Sequence, residues 1–339
     1  MALCSRCRES LHAWPKRWSD CHESRQTPAH VFPGKAVMAD ANSPAVAFLR
    51  SMHESLGWKV VCIDDTPWCH FGGSTVMTIP LSAVYSVGRS QVDRVLAATR
   101  CLIAQFPTSA NTGLVGHQHV LRDKAYSEAS LQRQFRQMLH RGEKQLIFRA
   151  LTWDEVASAG PSVLDASRRR RGITKPIDAG LWGEACKKGE SSAQFAVFGC
   201  FHRAALTGFA IFWKQAAGYR AIGILVHPDF FPRGAANVLL FRSARELIAR
   251  QDCEHVIFGR SGIPEADGHG RLSRHAGFIE EPLHLAATLH PRLRWLGRIE
   301  RSTTLISAAG RMLGARNRLS HQFEAIATVA ATDPRLLPE

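Results

Sequence analysis

The second half of the chain carries the clearest pattern of apolar and polar positions. Three segments rich in β-branched and aromatic residues follow one another with short turns between them. They read QFAVFGCF, AALTGFAIFW and YRAIGILV, within residues 194–226. This pattern predicts an antiparallel meander of three strands. The next stretch, VHPDFFPRGAANVLLF at 226–241, passes through a Pro/Gly turn into an amphipathic helix.

Strands and helices are predicted on both sides of this meander. KQLIFRAL reads as a strand, and the following Thr152-Trp-Asp-Glu155 has the spacing of a capping box that opens a helix. The four arginines at 168–171 suit the end of that helix, because cations are favourable near a helix C-terminus. Before the meander we predict a helix near DAGLWGEACKKG. After the meander and its helix we predict a strand EHVIFG, a short helix ending at Gly277 and a strand FIEEPLHLAATL.

The first half is predicted to combine three strands with a first helix, capped by Asn42 or Ser43, and two later helices. The strands are WKVVCIDD, STVMTIPL and SAVYSV. One helix begins near Ser90 and includes Leu102 and Ile103 on its apolar face, and the other follows Ser130 and stops at Gly142. The pattern as a whole predicts an α+β fold with a mixed, mostly antiparallel sheet flanked by helices.

Four regions are predicted along the chain: a disordered leader at 1–40, an N-terminal lobe at 41–143, a C-terminal lobe at 144–299 and an amphipathic helical tail at 300–339. The leader contains Cys4, Cys7, Cys21 and His22 at zinc-like spacing, but no apolar pattern surrounds them, so no metal is expected. The basic tail is expected to pack onto the body, with peripheral contact to a membrane surface as the alternative.

Composition limits the class of protein only broadly. No apolar run approaches the ~18 residues of a membrane-spanning helix, and the first residues lack the apolar core of a signal peptide. Nine cysteines in 339 residues favour reduced thiols and a cytoplasmic protein. The net charge of +14 favours either general solubility or an anionic ligand such as a nucleotide cofactor, a tRNA or a membrane face.

The turn at 226–241 has the composition of an anion-binding helix start. Gly234, Ala235 and Ala236 are small enough to let an anion approach the unpaired amides of a first helical turn, and Arg233 adds a positive charge. The alternative is an ordinary strand-turn-helix junction whose small residues serve packing.

The same stretch resembles the cofactor-binding segment of the GNAT acyltransferase superfamily. Val226, Pro228, Gly234 and Ala236 occupy the matching places, and LSRHAGF at 272–278 is similar to the short helix that ends in Gly-Phe. The resemblance implies an acyl-coenzyme A, acetyl-CoA or another, as co-substrate. It would run along the backbone of Ile224, Leu225 and Val226, with its pyrophosphate held by residues 232–236, which are Pro232, Arg233, Gly234, Ala235 and Ala236.

Two positions depart from the superfamily pattern. Phe231 stands where Gln or Arg is usual, and Ser273 stands where a tyrosine usually protonates the leaving thiolate. A serine can donate a hydrogen bond but is a poor general acid.

A second resemblance covers more of the chain. Two lobes in one polypeptide look like the Fem-type aminoacyltransferases and the exopolysaccharide-associated acetyltransferase-like proteins, in which tandem GNAT-like lobes share one chain. LQRQFRQMLHRGEK is similar to the basic helix before their second lobe. The resemblance leaves open an aminoacyl-tRNA as donor, and it implies a small-molecule, glycan or peptide acceptor in cell-envelope or polysaccharide metabolism.

The predicted chemistry is direct acyl transfer to an amine or hydroxyl. His227 is the first candidate for the general base, with Asp229 beside it, and His202 and Glu246 are weaker candidates. GRSG at 259–262 lacks the final glycine of a hydrolase nucleophile elbow, which disfavours a serine hydrolase. A GNAT-like binding protein without catalysis and a basic nucleic-acid-binding protein remain as alternative functions.

Overall fold

The computed structural model describes residues 43–70, 74–80, 84–108, 114–260, 267–298 and 326–329. Seven helices are α1 (Pro44–Ser55), α2 (Arg89–Thr99), α3 (Arg133–Glu143), α4 (Trp153–Arg170), α5 (Ala179–Glu190), α6 (Ala235–Ile248) and α7 (Asp267–His275). Eleven strands are β1 (Lys59–Ile63), β2 (Thr66–His70), β3 (Thr75–Thr78), β4 (Ile103–Pro107), β5 (Leu114–Leu121), β6 (Ile147–Ala150), β7 (Phe195–His202), β8 (Ala205–Gln215), β9 (Gly218–Val226), β10 (His255–Arg260) and β11 (Ile279–Leu289). These counts refer to the residues just given and leave out the 3₁₀ segments and the short helical segment at 326–329.

All eleven strands form one sheet in the order β1-β2-β3-β4-β11-β5-β10-β9-β8-β7-β6. Neighbouring strands are antiparallel except in two pairs, β3–β4 and β9–β10, which are parallel. The predicted meander is present as β7, β8 and β9, joined by antiparallel ladders. The structure therefore confirms the predicted mixed, mostly antiparallel sheet flanked by helices.

Strand β5 lies between two strands that come much later in the chain. It pairs with β10 on one side, where Ile257 faces Val120, and with β11 on the other, where Leu283 faces Gly116. Both ladders are antiparallel. Residues before and after position 143 therefore share one hydrogen-bonded sheet, and the lobe boundary at 143/144 stays a prediction.

Alternation along β8 shows which helices cover which face of the sheet. Phe212 belongs to a core cluster that includes α3 and α6, whereas Ile211 belongs to a second cluster with α1, α4 and α5. Neighbouring residues of a strand point to opposite faces, so these helices form two layers with the sheet between them. The second cluster also contains Cys69 and Ile79, which come from the β1–β3 end of the same sheet. The sheet must therefore curve, because both of its ends reach the same group of helices.

Local signals account for the long helix α4. Thr152 accepts a hydrogen bond from the amide of Glu155, and the Glu155 carboxylate accepts one from the amide of Thr152. This is the predicted capping box. The helix ends at Arg170, with Arg168 and Arg169 in its last turn, as the run of arginines predicted.

The first half differs from the prediction in several places. Helix α2 ends at Thr99, and Arg100 adopts a left-handed conformation. Leu102 and Ile103 therefore lie outside the helix, and Ile103 is the first residue of strand β4. Of SAVYSV the structure describes residues 84–87, and among these Val84 alone forms a bridge. Helix α3 continues one residue past Gly142, and strands β2 and β5 were not predicted at all.

The leader and its four zinc-like residues lie outside the described residues, as does most of the tail. The described part of the tail, 326–329, packs onto the body: Val329 is buried against Ile103 and Leu289. Among the described residues no helix combines the length and apolar character needed to cross a bilayer.

Candidate functional site

Strands β9 and β10 are paired only at their beginnings. His255 to Ile257 of β10 face Gly218 to Arg220 of β9. Beyond that point β9 stays with β8, where Gly208 faces Val226, while β10 stays with β5, where Phe258 faces His119. The two parallel strands therefore separate, and we call the gap between residues 221–226 of β9 and 258–260 of β10 the β9–β10 cleft.

A β-bulge lies on the β9 side of this cleft. Along the ladder with β8, Phe212 faces Ala221 but Ile211 faces Gly223, so Ile222 is an extra residue. A bulge redirects the residues that follow it. Beyond it, Ile224 packs with the α3/α6 cluster and Leu225 with the α4/α5 cluster, and Val226 is buried. These are the residues that the family resemblance assigns to the pantetheine arm.

Strand β9 leads through a tight turn into α6. Pro228–Phe230 forms a single 3₁₀ turn, and the amides of Arg233 and Gly234 donate to the carbonyls of Phe230 and Phe231, at 3.2 and 3.1 Å. Gly234 caps α6 in the left-handed region, with φ of 84°. The first helical amides, of residues 235–237, accordingly lie immediately after the turn, at the positive end of the α6 dipole.

The end of α3 packs directly on the start of α6. A Cβ added to Gly234 would lie 2.1 Å from the carbonyl oxygen of Met138, and a Cβ added to Gly142 would lie 2.6 Å from a methyl group of Val238. Ala235 and Ala236 are buried. The small residues of this segment are therefore required by helix packing, independently of any ligand.

Three arginines from three different elements converge on the turn. The Arg170 guanidinium, at the end of α4, lies 4.9 Å over the ring of Phe231, and that of Arg233 lies 5.0 Å over the ring of Phe230. Arg141 of α3 donates to the carbonyl of Pro232 at 3.4 Å. Within the described parts of the chain none of the three makes an ion pair with a carboxylate. We call Arg141, Arg170 and Arg233 the arginine group.

His227 and Asp229 lie at the start of the turn. Nδ1 of His227 accepts a hydrogen bond from the amide of Asp229 at 3.4 Å, and it lies 3.7 Å from the Asp229 carboxylate. The ring is half-buried and the carboxylate is exposed. The ring of His202 lies near that of Phe230, with ring centroids 5.4 Å apart and the two planes inclined by 50°. Glu246, on the last turns of α6, pairs instead with Arg250.

Ser273 and the tyrosines occupy structural positions. The Ser273 hydroxyl is buried in α7 and donates to the carbonyl of Gly270 one turn earlier. Tyr126 donates to the carbonyl of Ala276 at 2.6 Å, and burial raises the pKa of its hydroxyl. Neither hydroxyl is placed as an exposed proton donor, so the acid for the leaving group is not identified by this geometry.

One set of side chains has metal-ligand spacing. Oxygen and nitrogen atoms of Glu128, His140 and Glu143 lie within 4.8 Å of one another. Nε of Arg242 already donates a 2.6 Å hydrogen bond to the Glu143 carboxylate. Nε2 of His140 lies 3.3 Å from the Glu128 carboxylate. The arrangement is that of a surface charge network, in which the cation is supplied by an arginine.

The meander, the separation of β9 from β10 and the helix that follows β9 agree with the resemblance to the GNAT superfamily that the sequence showed. Several solved structures are similar to the chain at low identity. One is the C-terminal domain of a putative lysylphosphatidylglycerol synthetase from Agrobacterium fabrum, at 15% identity and TM-score 0.48, covering 79% of this chain and 91% of that one. Another is FemX, at 6% identity and TM-score 0.45, covering 72% and 91%.

A third similar structure is a tandem GNAT protein from the clavulanic acid biosynthesis pathway, at 12% identity and TM-score 0.39, covering 66% of this chain and 78% of that one. With identities of 6–15% and TM-scores below 0.5, these three likenesses carry no conclusion about what this chain does. No protein-family model matches the chain, and no curated protein matches it.

The sequence pointed to the turn itself but not to all of its neighbours. Arg170 was interpreted only as a helix end, and Arg141 only as part of a basic helix face. Their approach to Phe231 and Pro232 depends on how α3 and α4 pack against the sheet. The one local signal was the excess of arginine over acidic residues in α3 and the run of arginines at the end of α4.

Proposed function

We propose that the protein is an acyltransferase that moves an acyl group from an acyl-coenzyme A to an amine or hydroxyl acceptor. The observation that carries this proposal is the β9–β10 cleft, which ends at the first turn of α6 and at the arginine group. An extended thioester arm needs a strand edge with available backbone groups. A pyrophosphate needs amides and cations close to the end of that strand, and α6 offers both.

In this proposal the backbone of Ile224, Leu225 and Val226 borders the pantetheine arm. The bulge at Ile222 changes the direction of the amides that follow it in β9. One of these amides can then face the acyl carbonyl, while the next continues the ladder with β8. An amide that donates to the carbonyl oxygen stabilises the oxyanion as it forms. The pyrophosphate is assigned to the amides of Ala235 and Ala236, with Arg233 beside them, because the Gly234 amide already donates to the carbonyl of Phe231.

The reaction needs no covalent enzyme intermediate. The acceptor nitrogen or oxygen attacks the thioester carbon, a new acyl–N or acyl–O bond forms, and the carbon–sulfur bond breaks. His227 is proposed to remove the acceptor proton, with Asp229 accepting from Nδ1–H when the ring carries its proton there. In the present geometry Nδ1 accepts from a backbone amide, so the ring must change tautomer before Nε2 can act as a base. The proton ends on the departing thiolate.

Ligand binding gives the first test. Acyl-CoA should raise the unfolding temperature of the full chain, because a ligand that binds only the folded state stabilises it by about 2.7 kcal/mol at a hundredfold excess over Kd. Arg170→Ala should weaken acyl-CoA binding about fivefold, the equivalent of about 1 kcal/mol for an exposed ionic contact. Arg169→Ala, at the adjacent exposed position of α4, is the matched control and should leave binding unchanged.

Equal effects of the two substitutions, or no stabilisation of the wild type, would contradict the acyl-CoA assignment. Stabilisation by acyl-CoA without transfer to any amine, sugar or peptide acceptor would favour the second candidate, a binding protein without catalysis. The position of Ser273, buried and bonded to Gly270, is the observation that favours this second candidate. Stabilisation by aminoacyl-tRNA alone would assign a tRNA-bound donor instead.

The acceptor is proposed to be a small molecule, a glycan or a peptide of cell-envelope or polysaccharide metabolism. Support for this finer assignment is limited to the two-lobed sequence pattern. A cytoplasmic location and the lobe limits 41–143 and 144–299 are proposals of the same kind.

A further inference from the structure

The turn after β9 carries an exposed aromatic ring whose position the anion site does not explain. Phe231 is 38% exposed, one of the few large apolar side chains in the described parts of the chain that face solvent. The preceding Phe230 is half-buried among His202, His227 and the α3/α6 core. Packing thus accounts for the position of Phe230. The exposed part of the Phe231 ring, in contrast, contributes no hydrophobic stabilisation to the fold.

The guanidinium of Arg170 lies 4.9 Å over the Phe231 ring. Arg170 comes from α4, so a side chain from another layer holds the ring in one orientation. Flat guanidinium groups and aromatic rings are the surfaces on which nucleobases stack. The charge is also available to a phosphate, since no ion pair joins Arg170 or Arg233 to a carboxylate among the described residues. The nearest acid on the turn, Asp229, lies beside His227.

The position of Phe231 and Arg170 beside the start of α6 indicates which part of a ligand they would contact. The carbonyl of Phe231 accepts from the amide of Gly234 at 3.1 Å, and Gly234 caps α6. Phe231 therefore lies within one turn of chain of the first α6 amides. In a nucleotide held by its pyrophosphate at those amides, only the ribose separates the pyrophosphate from the base. The base accordingly falls in the neighbourhood of Phe231 and Arg170.

We propose that Phe231 and Arg170 form a stacking platform for the adenine of coenzyme A, with Arg233 contributing charge toward the phosphates. This inference rests on the proposed acyl-CoA donor and adds to it the determinant that recognises the nucleotide end. It also gives a reason for phenylalanine at a position where the superfamily pattern has Gln or Arg: stacking replaces a polar contact. Affinity should then depend on the adenosine part of the cofactor as well as on its pantetheine arm.

The experiment compares two ligands that differ in that part. Binding of coenzyme A and of 4′-phosphopantetheine is measured by calorimetry on the full wild-type chain, on Phe231→Ala and on Phe231→Trp. Phe231→Ala should weaken coenzyme A about tenfold, the size of one lost base stack, and leave 4′-phosphopantetheine unchanged. Phe231→Trp, which keeps an aromatic face, should retain the wild-type affinity for both. Because Phe231 is exposed, all three proteins are expected to fold, and circular dichroism with thermal melting checks this.

The failures can be told apart. If the wild type binds neither ligand, the acyl-CoA donor is refuted and the platform with it. If the wild type binds both ligands and Phe231→Ala changes neither affinity, or changes both equally, the donor stands and the adenine platform is overturned. Loss of binding to anionic phospholipid vesicles in Phe231→Ala, with coenzyme A binding intact, would likewise overturn it and assign the pair to a lipid surface.

Discussion

The contact between α3 and α6 makes Gly234→Ala the most informative single change in the protein. Gly234 has φ of 84°, and a methyl group there would lie 2.1 Å from the carbonyl oxygen of Met138. The left-handed conformation costs an alanine about 1–2 kcal/mol. The overlap adds about 1–3 kcal/mol, because backbone atoms of α3 and α6 must move apart. We therefore expect Gly234→Ala to lower the free energy of unfolding by about 2–5 kcal/mol.

Gly57→Ala is the matched control for this prediction. Gly57 also has a positive φ, of 76°, but a methyl group there would meet nothing within 4 Å. Only the conformational cost applies, so its loss should be about 1–2 kcal/mol. Both variants are compared by urea unfolding at equal slope, with the free energy taken from the midpoint. Equal losses in the two variants would refute the tight α3–α6 contact and the packing explanation of Gly234.

Two further predictions concern histidines. Burial lowers the pKa of His53 to about 3 from its ordinary 6.5, so the folded protein leaves the ring neutral where the unfolded chain protonates it. The free energy of unfolding should therefore fall as pH decreases from about 6.5 toward 3, by up to about 1.4 kcal/mol per pH unit. Urea unfolding at several pH values would measure this dependence. His53→Phe should flatten it, whereas the control His117→Gln, at an exposed position, should not. His227→Gln should lower kcat for acyl transfer about a hundredfold with acyl-CoA affinity unchanged, whereas His202→Gln should alter kcat little; full activity in His227→Gln would exclude it as the base.

The sequence was most informative where local patterns determine structure. The meander and the strand-turn-helix at Val226–Ala235 were predicted because alternation, a Pro/Gly turn and an apolar helix face follow one another without ambiguity. The capping box at Thr152 was predicted for the same reason, since Thr and Glu at that spacing satisfy each other's amides within four residues.

Ambiguous apolar runs and polar strands were predicted poorly. Leu102 and Ile103 fit a helix face as well as a strand. Helix α2 ends at a left-handed residue, Arg100, where a glycine would have signalled the helix end in the sequence. Strand β5 was missed because its His and Gln residues hide the alternation. The strand is instead held by backbone ladders with β10 and β11 on its two sides, and both partners are distant in the sequence.

The candidate site was predicted only in its sequence-local part. Residues 224–236 are contiguous, so the pattern could place them together. The approach of Arg170 to Phe231, and of Arg141 to Pro232, is set by how α4 and α3 pack on the sheet, which no local signal encodes. The burial of Ser273 against Gly270 was equally invisible, because a serine in a short helix can face either way.

The position of β5 has a consequence for synthesis and for dissection of the chain. A ribosome delivers β5 long before β10 and β11, so the middle of the sheet cannot close until the last third of the polypeptide has emerged. Contacts between such distant segments slow folding. A fragment starting at residue 144 would leave the facing edges of β10 and β11 without their central partner, and open strand edges attract other chains. Neither half is therefore expected to fold when it is expressed alone. Fragments divided between residues 143 and 144 should aggregate.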